Sequence, residues 1–174
     1  MNPNLVPPLE PTPAPGPLWL FHVLLVFTFF LHALFMNLAL GGTLLAAVAQ
    51  LGGRTPARVA LAQRLMAVNG YAISFAITTR IAPLLFVQLL YQQYFYTATI
   101  LIGDVWLLFA ALFMLGYYAV YLYKFRGAPA RGAGGTGWLV LAAGLFLAIA
   151  MVHVAVHLIH AQPAKWATIA AHPW

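Results

Sequence analysis

The chain is predicted to be all-α: an integral membrane four-helix bundle with its N- and C-termini on the outer, periplasmic side. Three observations predict this. Of the 174 residues, 64% are hydrophobic and only 6% are charged, a composition outside the range of ordinary water-soluble domains. The apolar residues fall into four runs, each long enough to cross a hydrocarbon core of roughly 30 Å as a helix. Six of the eight Lys and Arg residues lie in or beside two short segments, one between the first and second runs and one between the third and fourth.

Residues 1–17, MNPNLVPPLEPTPAPGP, are rich in proline and contain no Lys or Arg. They lack the basic start of a secretory signal and read as an extended extramembrane arm. Residues 18–160 form the bundle. Its first span, about 18–49, is longer than a perpendicular crossing needs and is expected to tilt or project beyond the bilayer. In this span Gly41 and Gly42 allow close approach of a neighbouring helix. The second span, about 66–90, contains Pro83, which removes a backbone donor beside Arg80. The short link YQQYFYT leads to a third span at about 97–123, and a fourth covers about 137–160. Residues 161–174, which include His172, form a tail on the outer side.

The segment GGRTPAR carries Arg54 and Arg58 and is closely followed by Arg64, whereas YKFRGAPARGAGG carries Lys124, Arg126 and Arg131. The positive-inside rule makes both segments cytoplasmic, giving a multi-pass protein of the bacterial inner membrane. Trp19 and Trp166 then suit the outer interface and Trp138 the inner one. The net charge of +6 is thereby read as topology and not as a nucleic-acid footprint. The absence of cysteine excludes a covalently attached c-type haem, thiolate ligation of an iron–sulfur cluster, and disulfides within the chain.

The strongest functional signal is in the fourth span. His153, His157 and His160 are spaced i, i+4 and i+7, which places three imidazoles near one face of a helix. On the first span, His22 is near the outer end and His32 near mid-membrane. At about 1.5 Å per residue, His22 is level with His157 or His160, and His32 is closer in depth to His153. Opposed imidazoles in an apolar bundle suit one or two haem b groups. A non-haem copper, iron or zinc site and histidines that merely satisfy neighbouring carbonyls are the alternatives. His22 and His32 are ten positions apart, about 80° around an ideal helix, and need not address the same cofactor.

Two charges also fall within spans. Arg80 lies in the outer half of the second and Asp104 at similar depth in the third, and each is expected to be the other's partner. They form either a structural ion pair or a functional one in which Arg80 neutralises a haem propionate or a quinone oxygen, with Asp104 orienting it or passing protons. Asn37, Gln88, Gln92 and Gln93 are read as interfacial amides, with the lining of an outward-facing polar pocket as the alternative, and Tyr91, Tyr94, Phe95 and Tyr96 as aromatic belt and core.

The segments FLHALFMNLALGGTLLA, GYAISFAITTRIAPLLFVQLLYQQYFYTATILIGDVW and HLIHAQP together resemble the N-terminal four-helix unit of cytochrome bd oxidase subunit I, over about residues 18–165. The resemblance implies that His32 matches a haem-ligating histidine of that family's first helix. The third span lacks the glutamates that the family carries there, and His22, His153, His157 and His160 have no obvious counterpart. It therefore implies a cut-down, bd-like membrane cytochrome and not a complete oxygen reductase.

Together these readings give a membrane haem b electron-transfer subunit of a respiratory-type redox complex. It would bind haem through His22, His32, His153 and His157, with His160 in reserve, and hold a propionate with Arg80. Electrons would pass between the quinone pool and a periplasmic c-type cytochrome on another chain, alongside other membrane subunits, with quinone as a further candidate cofactor. The alternatives are a cofactor-free anchor or scaffold subunit and a histidine-lined metal or proton path.

Overall fold

A computed structural model of the chain describes residues 15–53, 55–126 and 134–171. The proline-rich arm up to residue 14, Arg54, Arg131 and His172 lie outside the described residues, and the side chain of Arg126 is likewise not described. All regular elements among the described residues are helical: α1 (Leu18–Leu51), α2 (Pro56–Leu90), α3 (Gln92–Leu101), α4 (Gly103–Arg126), α5 (Gly134–His160), a 3₁₀ turn (Pro163–Lys165) and α6 (Trp166–Ala171). Four of them, α1, α2, α4 and α5, are long and apolar enough to cross a membrane. The chain is an all-helical, multi-pass membrane protein.

Local chemistry sets the helix ends. Helix α1 stops at Gly52, whose N–H donates to Val48 O, and the next residue, Gly53, has a φ of +116° that strongly favours glycine. The Arg58 guanidinium donates to Gly52 O and ties the turn to the start of α2. There Thr55 caps the helix by accepting from Arg58 N, and Pro56 occupies the first helical turn, where its missing N–H costs nothing. Helix α2 thus begins ten residues before the apolar run at Met66, because hydropathy marks bilayer depth and not helix length.

The structure corrects the third span. The helix expected from Thr97 is interrupted at Ile102 (φ −124°, ψ 33°), and the YQQYFYT link is itself largely helical within α3. Helix α4 restarts at Gly103 with Asp104 in its first turn, where a carboxylate complements the positive end of the helix dipole.

The spanning helices run alternately up and down. Phe21 meets Phe86 at one end of the α1–α2 pair, Phe35 stacks on Phe75 at 5.0 Å further along, and Thr43 meets Asn69 beyond that. Helix α5 is likewise antiparallel to α1, with Phe29 beside His157 at one end and Gln50 bonded to Thr136 at the other. Helices α4 and α5 pack through Phe113–Phe146 and Phe109–His153.

The two halves of the bundle differ. Toward the end that carries Arg58, Arg64 and Lys124, the core is close-packed and rich in alanine, with Ala39, Ala46, Ala47, Ala62, Ala72, Ala119, Ala142 and Ala143 all buried. Small side chains let helix backbones approach where lipid supplies no hydrophobic drive to pack. Gly42 fits this pattern, since a Cβ there would lie 3.4 Å from Asn69 Oδ1, whereas one at Gly41 would meet nothing within 4 Å. Gln50 Nε2 donates to Tyr123 Oη (2.8 Å), and Gln50 Oε1 accepts from Thr136 (3.0 Å), joining α1, α4 and α5. The Asn69 amide donates to Thr43 Oγ1 at 2.6 Å. Replacing Asn69 with alanine removes that bond and should lower stability by about 1 kcal/mol, measurable as a fall in the unfolding midpoint in detergent.

The opposite half holds most of the histidines and packs less densely. At its mouth the chain beyond α5 folds back: Trp166 is 0% exposed, donates its indole N–H to Ile159 O (2.8 Å) and sits edge-on to Tyr94 at 6.0 Å. Trp19, by contrast, is 66% exposed.

Candidate functional site

A cavity of about 490 Å³ lies in the histidine-bearing half, between α1, α2, α4 and α5, with α3 and the turn after α5 closing part of its rim. Its size is within the range of small-molecule and cofactor sites, roughly 300–1,000 Å³. Five of the six predicted cofactor-binding residues come together in its wall: His32, His153, His157, His160 and Arg80. Phe29, Pro83, Leu84, Val87, Tyr91, Tyr94, Phe95 and Trp106 supply most of the remaining, largely apolar surface.

His32 is 5% exposed, and its Nδ1–H donates to Ala76 O at 2.9 Å. A helix carbonyl has a second lone pair for such a bond, and the small Ala76 side chain leaves room for the ring. This bond assigns the tautomer, so Nε2 carries the lone pair. His157 is held in the same way, with Nδ1–H donating to His153 O one turn back (3.0 Å). A histidine that ligates a metal commonly has its other nitrogen anchored like this. The rings of His153 and His157 lie 4.2 Å apart between centroids, and His157 and His160 6.1 Å apart. His160 stacks on Phe95 of α3 at 5.8 Å and 6°. The i, i+4, i+7 stripe therefore does converge on one space.

His22 does not join it. It is exposed, its Nδ1–H donates to Leu18 O within its own helix (2.9 Å), and it meets only the edge of the Tyr91 ring at 6.2 Å. The cause is the rotation noted above: when α1 turns His32 toward α2, a residue ten positions earlier is on a different face and about 15 Å along the axis.

The expected Arg80–Asp104 pair does not form. Asp104 is exposed, and the Arg80 guanidinium instead lies over the rings of Trp106 (5.3 Å) and Phe109 (5.1 Å). Asp104 and Trp106 are two positions apart, about 200° around α4, so a helix that turns Trp106 to Arg80 turns Asp104 away. Asp104→Asn should therefore leave any absorbance of the cavity's occupant unchanged and shift thermal stability only slightly, by less than about 1 kcal/mol, through the helix dipole.

Sequence reasoning missed Trp106 and Phe109 as partners of Arg80. A signal was present: both are large aromatics level with the only arginine inside a span, and a cation in hydrocarbon seeks an aromatic face when no anion is near. Tyr91, Tyr94 and Phe95, read as belt and core, also line the cavity, and Phe95 is buried.

Buried polar atoms without partners are concentrated in this wall. Among the described residues, six buried side-chain polar atoms lack a hydrogen-bond partner, and four belong to this wall: His32 Nε2, His153 Nδ1, His160 Nε2 and Trp106 Nε1. Each costs about 1–3 kcal/mol when buried and unpaired. Elsewhere in the bundle, polar groups such as Gln50 and Thr43 are bonded. No three His, Asp or Glu side chains among the described residues are gathered as a ready-made metal-ligand group; axial ligation of haem needs one or two. No protein-family model, curated protein or solved structure matches the chain.

Proposed function

We propose that the chain is a membrane haem b electron-transfer subunit whose cofactor occupies this cavity. The observation that carries the reading is the convergence of His32 from α1 with His153, His157 and His160 from α5 on one largely apolar space. His32 and His157 are the imidazoles that would hold the haem, because the Nδ1 proton of each is committed to a carbonyl and Nε2 is left as the donor atom. When bound, haem b passes single electrons by cycling its iron between ferric and ferrous states.

The protein's part is to hold imidazoles on two rigid helices, to keep water away with Phe29, Leu84 and Val87, and to offer Arg80 to a propionate. The resemblance of residues 18–165 to the first helices of bd oxidase subunit I supports the same reading. So does the positive-inside rule, which puts the cavity end of the bundle outward. A haem there could exchange electrons between membrane quinone and a periplasmic c-type cytochrome on a companion subunit.

The purified chain, together with any copurifying subunits, is expected to give a reduced-minus-oxidised b-type spectrum and a b-type pyridine haemochrome. A folded preparation made with ample haem that shows neither would refute the proposal. The close i, i+4 pair His153–His157 favours, as second reading, a histidine-held copper, iron or zinc ion. Elemental analysis of the same preparation would reveal it as metal without porphyrin.

A further inference from the structure

Two donors in the cavity wall have no acceptor. The Arg80 guanidinium lies against the rings of Trp106 and Phe109, whose centroids are themselves 5.7 Å apart, and among the described residues no carboxylate or carbonyl side chain is bonded to it. Aromatic faces offset part of the desolvation of a cation but give its five N–H donors nothing to bond to. The Trp106 indole N–H is also buried and unpaired, on a ring whose centroid is 5.3 Å from Arg80 Cζ. Both residues line the cavity. Leaving a guanidinium and an indole N–H side by side without an acceptor is unfavourable in apolar surroundings.

We propose that Arg80 and Trp106 together form a carboxylate-binding corner of the cavity, which takes an acidic side chain of the molecule that the histidines hold. The inference rests on the haem reading above, in which that molecule carries two propionates. The chemistry selects this class. A planar guanidinium matches a carboxylate with forked donors, and the indole adds one neutral donor to the same group. One positive charge balances one carboxylate, whereas a doubly charged phosphate would remain half-neutralised beside Pro83, Leu84 and Val87. Phe109, edge-on to Trp106, gives the guanidinium a second aromatic contact.

The test uses the full-length chain, produced without haem and held in lipid nanodiscs, titrated by Soret absorbance with haem b and with haem b dimethyl ester, whose carboxylates are masked. The wild type should bind the free acid at least about tenfold more tightly than the ester, the ratio expected for a charge-assisted hydrogen bond. Trp106→Phe keeps an aromatic face for Arg80 but removes the N–H, and should narrow that ratio severalfold with ester affinity unchanged. Arg80→Met should erase it. Equal binding of acid and ester by the wild type would overturn the corner and leave the haem reading standing, and a Trp106→Phe ratio equal to the wild type would overturn the indole's share. Binding of neither compound would overturn the haem reading and the corner with it.

Discussion

On the proposed haem reading, His32→Ala should remove most of the b-type absorbance, lowering haem occupancy by more than about tenfold, while the helical signal in circular dichroism remains. The magnitude follows from position. Loss of a hydrogen bond that merely orients a metal ligand typically costs 10–100-fold in affinity, and this change removes the imidazole itself along with its anchor on Ala76 O. The accompanying loss of fold stability should be small, about 1 kcal/mol, since the bond to Ala76 is one neutral contact in a long helix pair. His22→Ala is the internal control, because His22 is exposed and bonded within its own helix, and it should leave the spectrum intact. A His32→Ala protein with undiminished haem would remove α1 from the site.

The second large effect is on assembly. A Cβ at Gly116 would lie 2.8 Å from Phe146 Cε1, 3.0 Å from Phe146 Cδ1 and 3.5 Å from Leu145 Cβ. The ring cannot easily yield, because Phe146 is only 7% exposed and packs within the core beside Phe113. Gly116→Ala should therefore cost about 1–3 kcal/mol, the usual range for overpacking, and Gly116→Leu more. Gly116→Leu should separate α4 from α5 and with it displace the α5 histidines from the cavity. Gly144→Leu is the matched control, since a Cβ there meets nothing within 4 Å. Unfolding midpoints of the two leucine variants in the same detergent would distinguish them, and equal midpoints would show that the α4–α5 contact is not tight at Gly116. Partial rescue of Gly116→Leu by Phe146→Ala would tie the effect to this ring.

The histidine stripe was legible because periodicity within a single helix is a local property. Spacing of i, i+4 and i+7 places side chains together whatever surrounds the helix, and His153, His157 and His160 do share one cavity. Depth matching across helices was legible too, since rise per residue is fixed, and it drew His32 toward the α5 histidines. It misled at His22 and at Asp104, where depth agreed and rotation did not. The break at Ile102 was hidden as well: the segment from Thr97 through Tyr123 is apolar enough to read as one helix, and only the backbone there shows where α3 stops and α4 begins.

The sequence by itself determined that this chain is a helical membrane protein, because apolar runs of that length in hydrocarbon must satisfy their own backbone hydrogen bonds. It also determined which residues share a face of each helix. Only the tertiary structure decided which face looks at which neighbour. In a soluble bundle the apolar stripe announces the buried side. Here lipid-facing positions such as Leu107, Met151 and Val154 are as apolar as the core, so hydrophobicity carries no record of helix rotation. That rotation, set by packing of Ala-rich faces and by contacts such as Gly116 against Phe146, is what turns His32 and Arg80 into the cavity and leaves His22 and Asp104 outside it.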